Sequence, residues 1–177
     1  MIDVAAYGKA LFDLAAEIGE DTRVQEELDV LCTVLKQEPD YVTLLDTPAI
    51  PTEEKLKLLN EAFAGVQPML GNFLCLLCEK RAMHLLPGCA NAYRACYDEA
   101  HELLRATAIT ARPMSERQCT ALRETLARKT GKTVVLENRT DPTLIGGMTL
   151  RYGGVQLDDS LKAALDKLRR SLSDTIV

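Results

Sequence analysis

The stretch Leu104-Arg105-Ala106-Thr107-Ala108-Ile109-Thr110-Ala111-Arg112 alternates in character with a period of two, carries the β-branched Thr107, Ile109 and Thr110, and ends at Pro113. That pattern predicts a strand. Everything upstream has a different period. Tyr7, Leu11, Leu14 and Ile18 recur at helical spacing and Gly19 stops the run; Val24, Leu28, Leu31 and Leu35 repeat the pattern from about Thr22 to Gln37, before Pro39. A short helical turn around Tyr41–Leu45 follows. A helix capped by Thr52 then carries Leu56, Leu59 and Phe63, with Glu53 and Glu54 at its positive end. An apolar helix over 68–80 and a long one from near Pro87 to about His101 complete five or six helices with short connections, which predicts an antiparallel bundle.

Downstream of the switch the elements are shorter. Ser115 with Gln118 makes a capping-box pattern that opens a helix to Thr130, closed by Gly131. Thr133–Leu136 reads as a strand. Met148–Tyr152 and Val155–Leu157 read as two more, joined by Gly153-Gly154 in a hairpin turn that requires positive φ. A last helix is expected from Asp158 or Asp159 onward, with Leu161, Leu165 and Leu168 on one face. The expected fold is mainly α: a helical bundle over 1–104, then a small α/β domain over 105–177.

Length and composition agree with this. The chain has 177 residues, 47% of them hydrophobic, enough for a real core. No apolar run approaches the roughly 18 residues of a membrane span, and the first helix has acids within its apolar pattern, unlike a signal or transit peptide. The net charge of −5 conceals a division: residues 1–104 hold 8 Lys/Arg against 18 Asp/Glu, and 105–177 hold 13 against 8. The two parts are therefore expected to face different partners. The basic part spreads its charge over several elements and has Tyr152 as its one aromatic residue, so nucleic acid is not expected as a partner.

Candidate chemistry is sparse. Gly131-Lys132-Thr133 looks like the end of a phosphate-binding loop, but Leu126 occupies the position of the leading glycine, and the triplet leaves a helix to enter a strand, the reverse of that motif. Ile145-Gly146-Gly147 lacks the glycine spacing of a dinucleotide fingerprint and suits a bend or close backbone approach at a strand start. Among six cysteines, Cys75 and Cys78 have zinc-like spacing, with His84 and Cys89 following, which leaves a zinc or thiol regulatory protein as an alternative reading. The pair lies inside an apolar helix, however, where cysteine serves as a small core hydrophobe. No cofactor, metal or catalytic residue is expected.

The surplus lies in apolar surface. On a helical wheel the first helix confines Lys9, Asp13 and Glu17 to one narrow side and leaves an apolar or small arc of about 200°, against the ~100° that burial of one face requires. The helix over 68–80 is apolar nearly all round, interrupted by Asn72, Glu79 and Lys80. Either it is the central helix of the bundle, or its spare face joins that of the first helix in a groove suited to an amphipathic helix of another protein.

Tyr7-Gly8-Lys9-Ala10-Leu11-Phe12, Thr110-Ala111-Arg112-Pro113-Met114-Ser115 with Gln118, Gly131-Lys132, Asp141-Pro142-Thr143-Leu144-Ile145-Gly146-Gly147, Leu150-Arg151 and Asp158-Asp159-Ser160 occur in one order along nearly the whole chain. In that combination the chain resembles the delta subunit of bacterial F-type ATP synthases, a family related to the mitochondrial oligomycin sensitivity conferral protein. The resemblance implies a non-catalytic peripheral-stalk subunit of a proton- or sodium-translocating synthase, held at the cytoplasmic face of the bacterial membrane through the complex alone. It further implies that the first and fifth helices receive N-terminal helices of alpha subunits, and that the C-terminal domain meets the C-terminal end of the b subunits. The expected partner surface comprises Tyr7, Leu11, Leu14, Leu70, Phe73, Leu74 and Leu77, shared between bundle core and groove. Asp141, Gly146, Gly147, Gly153, Gly154, Asp158 and Ser160 are expected to shape the C-terminal domain. Gly8 departs from good helix chemistry, costing about 1 kcal/mol against alanine, which a close helix approach would offset.

Overall fold

A computed structural model describes residues 3–144, 147–153 and 155–158, and the chain divides into two compact units between Glu99 and Ala100. The first unit contains α1 (Val4–Glu17), α2 (Asp21–Gln37), α3 (Pro39–Asp46), α4 (Thr52–Ala62), α5 (Pro68–Glu79), a 3₁₀ turn at Met83–Leu85, and α6 (Leu86–Ala100). The second contains β1 (Leu103–Thr110), α7 (Glu116–Thr130), β2 (Thr133–Thr140), β3 (Met148–Tyr152) and β4 (Val155–Asp158). A bundle followed by a small α/β unit is the architecture that the change of period at Leu104 predicts.

In the bundle, Leu28, Leu31, Leu45, Leu59, Leu70, Leu74, Leu77, Met83 and Leu86 form one continuous core. Each such side chain contributes about 1.5–3 kcal/mol on burial. Directional contacts then fix how the helices meet. Fully buried Tyr93 packs edge-to-face on Phe12, with ring centroids 5.5 Å apart, and its hydroxyl donates to the carbonyl of Asp21 at 2.8 Å, so α1, α2 and α6 are joined at one point. Lys55 is buried, yet its ammonium donates to the carbonyls of Leu45 (2.7 Å) and Thr47 at the end of α3, where the helix dipole favours a cation. The Asp46 carboxylate accepts from the Met83 and His84 amides and meets the His84 Nδ1 at 2.6 Å, which caps the 3₁₀ turn.

Two local expectations are corrected. Thr52 is the first helical residue rather than the cap: Pro51, with φ −57° and ψ 140°, supplies the entry geometry, and its carbonyl accepts from the Glu54 and Lys55 amides. Glu53 and Glu54 do occupy the first turn. The second strand continues to Thr140, beyond the β-branched run, because its eight residues pair in parallel with all eight of β1, and that ladder outweighs the weak strand preference of Asn138 and Arg139.

The sheet order is β2-β1-β3-β4, with β1 and β2 parallel and connected through α7, and the remaining pairs antiparallel. Ala106, Ala108, Val134 and Leu150 bury one face under Leu126 of α7. The Ser115 and Gln118 capping box forms as expected, and Gly131 ends α7 in the left-handed region at φ 71°. The putting-together of Gly131-Lys132-Thr133 is thereby explained as a helix stop followed by a strand. Asn138 binds the C-terminal unit together: its amide donates to the Ala108 carbonyl and the Thr110 hydroxyl at 3.0 Å each and accepts from the Met114 amide at 2.9 Å. The helix expected after Asp158 lies outside the described residues.

Gly8 faces α6 so closely that an added Cβ would lie 2.5 Å from the Ala92 Cβ, 2.5 Å from the Cys89 carbonyl oxygen and 2.9 Å from the Tyr93 nitrogen. Gly71, in α5, would meet nothing within 4 Å. Gly8→Ala is therefore expected to destabilise the fold by about 2 kcal/mol net, because overpacking against backbone exceeds the gain in helix propensity, while Gly71→Ala stabilises it by about 0.5–1 kcal/mol. Urea unfolding of the two variants checks both signs.

Burial pushes the Cys78 and Cys89 thiols and the Tyr93 phenol up from their ordinary pKa values. As pH rises past about 8.5, unfolded chains lose thiol protons that folded chains keep, so stability is full below that range and falls above it. The expected slope is at most about 1.4 kcal/mol per pH unit for each thiol. Urea midpoints of reduced protein between neutral pH and about pH 9.5 should fall, and a Cys78→Ala, Cys89→Ala double variant should show a shallower fall.

Candidate functional site

The first helix has two apolar faces because its sequence carries two sets of small and apolar residues a little under half a turn apart. Gly8, Leu11, Phe12 and Ala15 are buried against the bundle. Val4 reaches α6 as well, where its side chain fills the space beside Gly88, within 2.7 Å of the place a Cβ there would occupy. Ala6, Ala10 and Leu14 lie exposed on the adjoining face, and Leu14 keeps 52% of its surface. The helix is anchored by Asp3, whose carboxylate accepts from the Ala5 and Ala6 amides.

Helix α5 is placed with equal definition. The Gln67 side chain accepts from the Met69 and Leu70 amides at 2.6 and 3.1 Å, and the Gln67 amide donates to Glu27 of α2 at 2.7 Å. With its start so fixed, Leu70, Leu74, Leu77 and Cys78 turn into the core. Met69, Asn72 and Leu76 remain on the far side, Leu76 with 39% of its surface exposed.

Between these two helices lies a furrow of about 550 Å³. One wall is Ala6, Tyr7, Ala10, Leu11 and Leu14; the other is Met69, Asn72, Phe73 and Leu76. The Tyr7 and Phe73 rings meet across it with centroids 6.5 Å apart. Of the seven residues expected to form a partner surface, Tyr7, Leu11, Leu14 and Phe73 line the furrow, and Leu70, Leu74 and Leu77 are fully buried and belong to the core side. Ala6, Ala10, Met69, Asn72 and Leu76 were not among the residues anticipated. Small alanines on the outer face of an otherwise apolar helix were the available signal, since they leave the depth that a larger side chain would fill.

This arrangement offers no acid–base pair and no nucleophile. It offers an apolar trough between two helices. The cysteine reading has no support: Cys78 and Cys89 are buried in the core, burial raises the Cys32, Cys75, Cys78 and Cys89 thiols, and among the described residues no cluster of His, Cys, Asp or Glu could hold a metal ion. His84, the remaining member of that proposed set, is turned to Asp46.

In the second unit, the described members of the expected structural motif take the following places. The Asp141 carboxylate accepts from the Thr143 amide and hydroxyl at 2.9 and 2.6 Å, and the Asp141 amide donates to the Thr110 carbonyl. Gly147, just before β3, and Gly153, after it, take φ values of 82° and 51°. Asp158 ends β4 opposite Thr149. Gly146, Gly154 and Ser160 lie outside the described residues.

Residues 4–172 match the family described as the ATP synthase delta (OSCP) subunit. The ATP synthase subunit delta of Geobacillus sp. (strain WCH70) is 35% identical over 167 residues, covering 94% of each chain, and that of Alkaliphilus oremlandii (strain OhILAs) is 32% identical over 172 residues, covering 97% and 96%. In overall fold the chain is similar to one in the cryo-EM structure of the Toxoplasma gondii mitochondrial ATP synthase hexamer, with a TM-score of 0.74 at 22% identity over 97% and 98% of the two chains. Sequence along almost its full length therefore assigns this protein to the ATP synthase delta (OSCP) subunit family.

Proposed function

We propose that this chain works as a connector whose α1–α5 furrow receives the N-terminal helix of an alpha subunit of the catalytic head, while its C-terminal unit meets the C-terminal end of the b subunits. The frame for this is family membership: the chain is a component of the peripheral stalk of an F-type ATP synthase, and its role there is structural rather than catalytic. No helix among the described residues is long and apolar enough to cross a membrane, so attachment at the cytoplasmic face would run through the other subunits.

The observation that carries the docking reading is the exposed apolar furrow itself. Apolar side chains left exposed side by side on two helices, with no charged residue among them, support an interaction site over a solvated face. Its walls present side chains at successive turns, Ala6, Ala10 and Leu14 on one side and Met69, Asn72 or Phe73, and Leu76 on the other, which complements a helix with apolar anchors at i, i+3 or i+4, and i+7. A connector of this kind needs no chemistry. It needs contacts that hold while the rotor exerts torque on the head.

Leu14 separates docking from folding, because it lines the furrow while half exposed, whereas Leu11 is 3% exposed and belongs to both surfaces. Leu14→Asp is expected to leave the circular dichroism and melting temperature near those of the parent, and to weaken binding of a synthetic alpha-subunit N-terminal peptide by at least about tenfold, since truncating a well-buried anchor costs 2 kcal/mol or more. Unchanged affinity in Leu14→Asp would place the peptide elsewhere on the chain.

A further inference from the structure

The furrow is apolar except at two points. The Asn72 amide stands in the α5 wall and the Tyr7 hydroxyl belongs to the α1 wall, and neither has a hydrogen-bond partner among the described residues. Asn72 is flanked on its own helix by Met69 one turn before and Leu76 one turn after, so it interrupts an apolar row at its midpoint.

That position has a consequence for any helix that docks. Apolar contact is nondirectional, and a helix displaced along the furrow by one turn, about 5.4 Å, would still lay anchors against methyl and methylene groups. The amide breaks this degeneracy. Once the furrow is covered, Asn72 loses water and must find a partner, because a buried amide left unsatisfied costs more than an ordinary hydrogen bond returns. One buried asparagine in an apolar seam fixes helix register in the same way.

Resting on the docking reading above, we infer that Asn72 is the register-determining residue of the furrow: it selects an amphipathic helix whose apolar stripe is interrupted by one polar side chain, and aligns that side chain with itself. Tyr7 is the second hydrogen-bonding group available to it. A wholly apolar helix, though more hydrophobic, is the poorer ligand. Affinity thus comes from the leucines and phenylalanine, and selection among registers from the amide.

The test is a double-mutant comparison on the full chain. A fluorescent synthetic peptide of the alpha-subunit N-terminus is titrated by anisotropy against the parent and against Asn72→Leu, with each polar residue of the peptide replaced by leucine in turn. Asn72 is exposed in the free protein, so the variant is expected to keep its fold, which circular dichroism verifies. One peptide position should weaken binding to the parent by about tenfold and have its loss abolished, or reversed, in Asn72→Leu. The Asn72→Leu variant should in turn bind the unmodified peptide about tenfold more weakly. If every peptide position behaves additively within twofold across both proteins, the register role is wrong while docking stands. If the parent does not bind the peptide at all, the docking reading falls and this inference falls with it.

Discussion

Close contact of α1 with α6 at Gly8 is the constraint on which the rest of the bundle's surface depends. A helix with apolar residues over so wide an arc could rotate about its axis and still bury some of them, so hydrophobicity alone does not define which face looks inward. Gly8 removes that freedom. Only at this position can the backbone of α1 approach the Cys89 carbonyl and the Tyr93 nitrogen, and Val4 in turn fits beside Gly88 one turn away. The reciprocal small-residue contacts fix the rotation of α1. Tyr93, held by Phe12 on one side and the Asp21 carbonyl on the other, secures it further. With rotation fixed, Ala6, Ala10 and Leu14 have nowhere to turn but outward.

The same logic separates stability from function on α5. Leu70, Leu74 and Leu77 fill the core, and Gln67 caps the helix and ties its start to Glu27, so the helix would be held even if its other face were polar. Leu76 is then left exposed, and Met69 only half-buried against the core, without either being needed to hold the helix. Leaving such residues uncovered carries a risk of self-association, and natural chains limit it by keeping the patch small. Retaining it accords with the proposed docking of a partner helix.

The sequence shows much of this directly, and the reasons for the exceptions are physical. Helical and strand periods, the proline and glycine stops and the Ser115 capping box are local signals, and the elements follow them closely. The division between core and furrow among these residues is not local. Leu70 and Leu76 are equally apolar residues about a third of a helix turn apart in direction, and nothing in their identity states which lies toward the furrow and which toward the core; that depends on where α5 is pinned. Gly8 is legible in the sequence as a cost that a close helix approach would offset, but not as to its partner, which is backbone more than 80 positions away. Thr52 is a good capping residue standing beside a proline, and the geometry of the proline prevails. Asn72 could be noticed as an interruption, but its meaning required the opposing wall.

Charge and hydrophobicity divide the work of association differently. The N-terminal part of the chain is strongly acidic, 18 carboxylates against 8 cationic groups through residue 104, yet the furrow contains none of them. Asp13 and Glu17 lie on the exposed side of α1. Charges so placed act through the long-range field, which governs how often a partner arrives and in what orientation, and which salt screens over about 10 Å. The apolar walls act only after contact, and salt at physiological strength leaves them almost untouched. A joint built in this way can assemble at a rate set by electrostatic steering and yet owe its lifetime to buried area and shape. In the proposed docking, lifetime is the quantity that matters, and it would reside in uncharged side chains on two helices, one oriented by Gly8 and the other by the Gln67 cap.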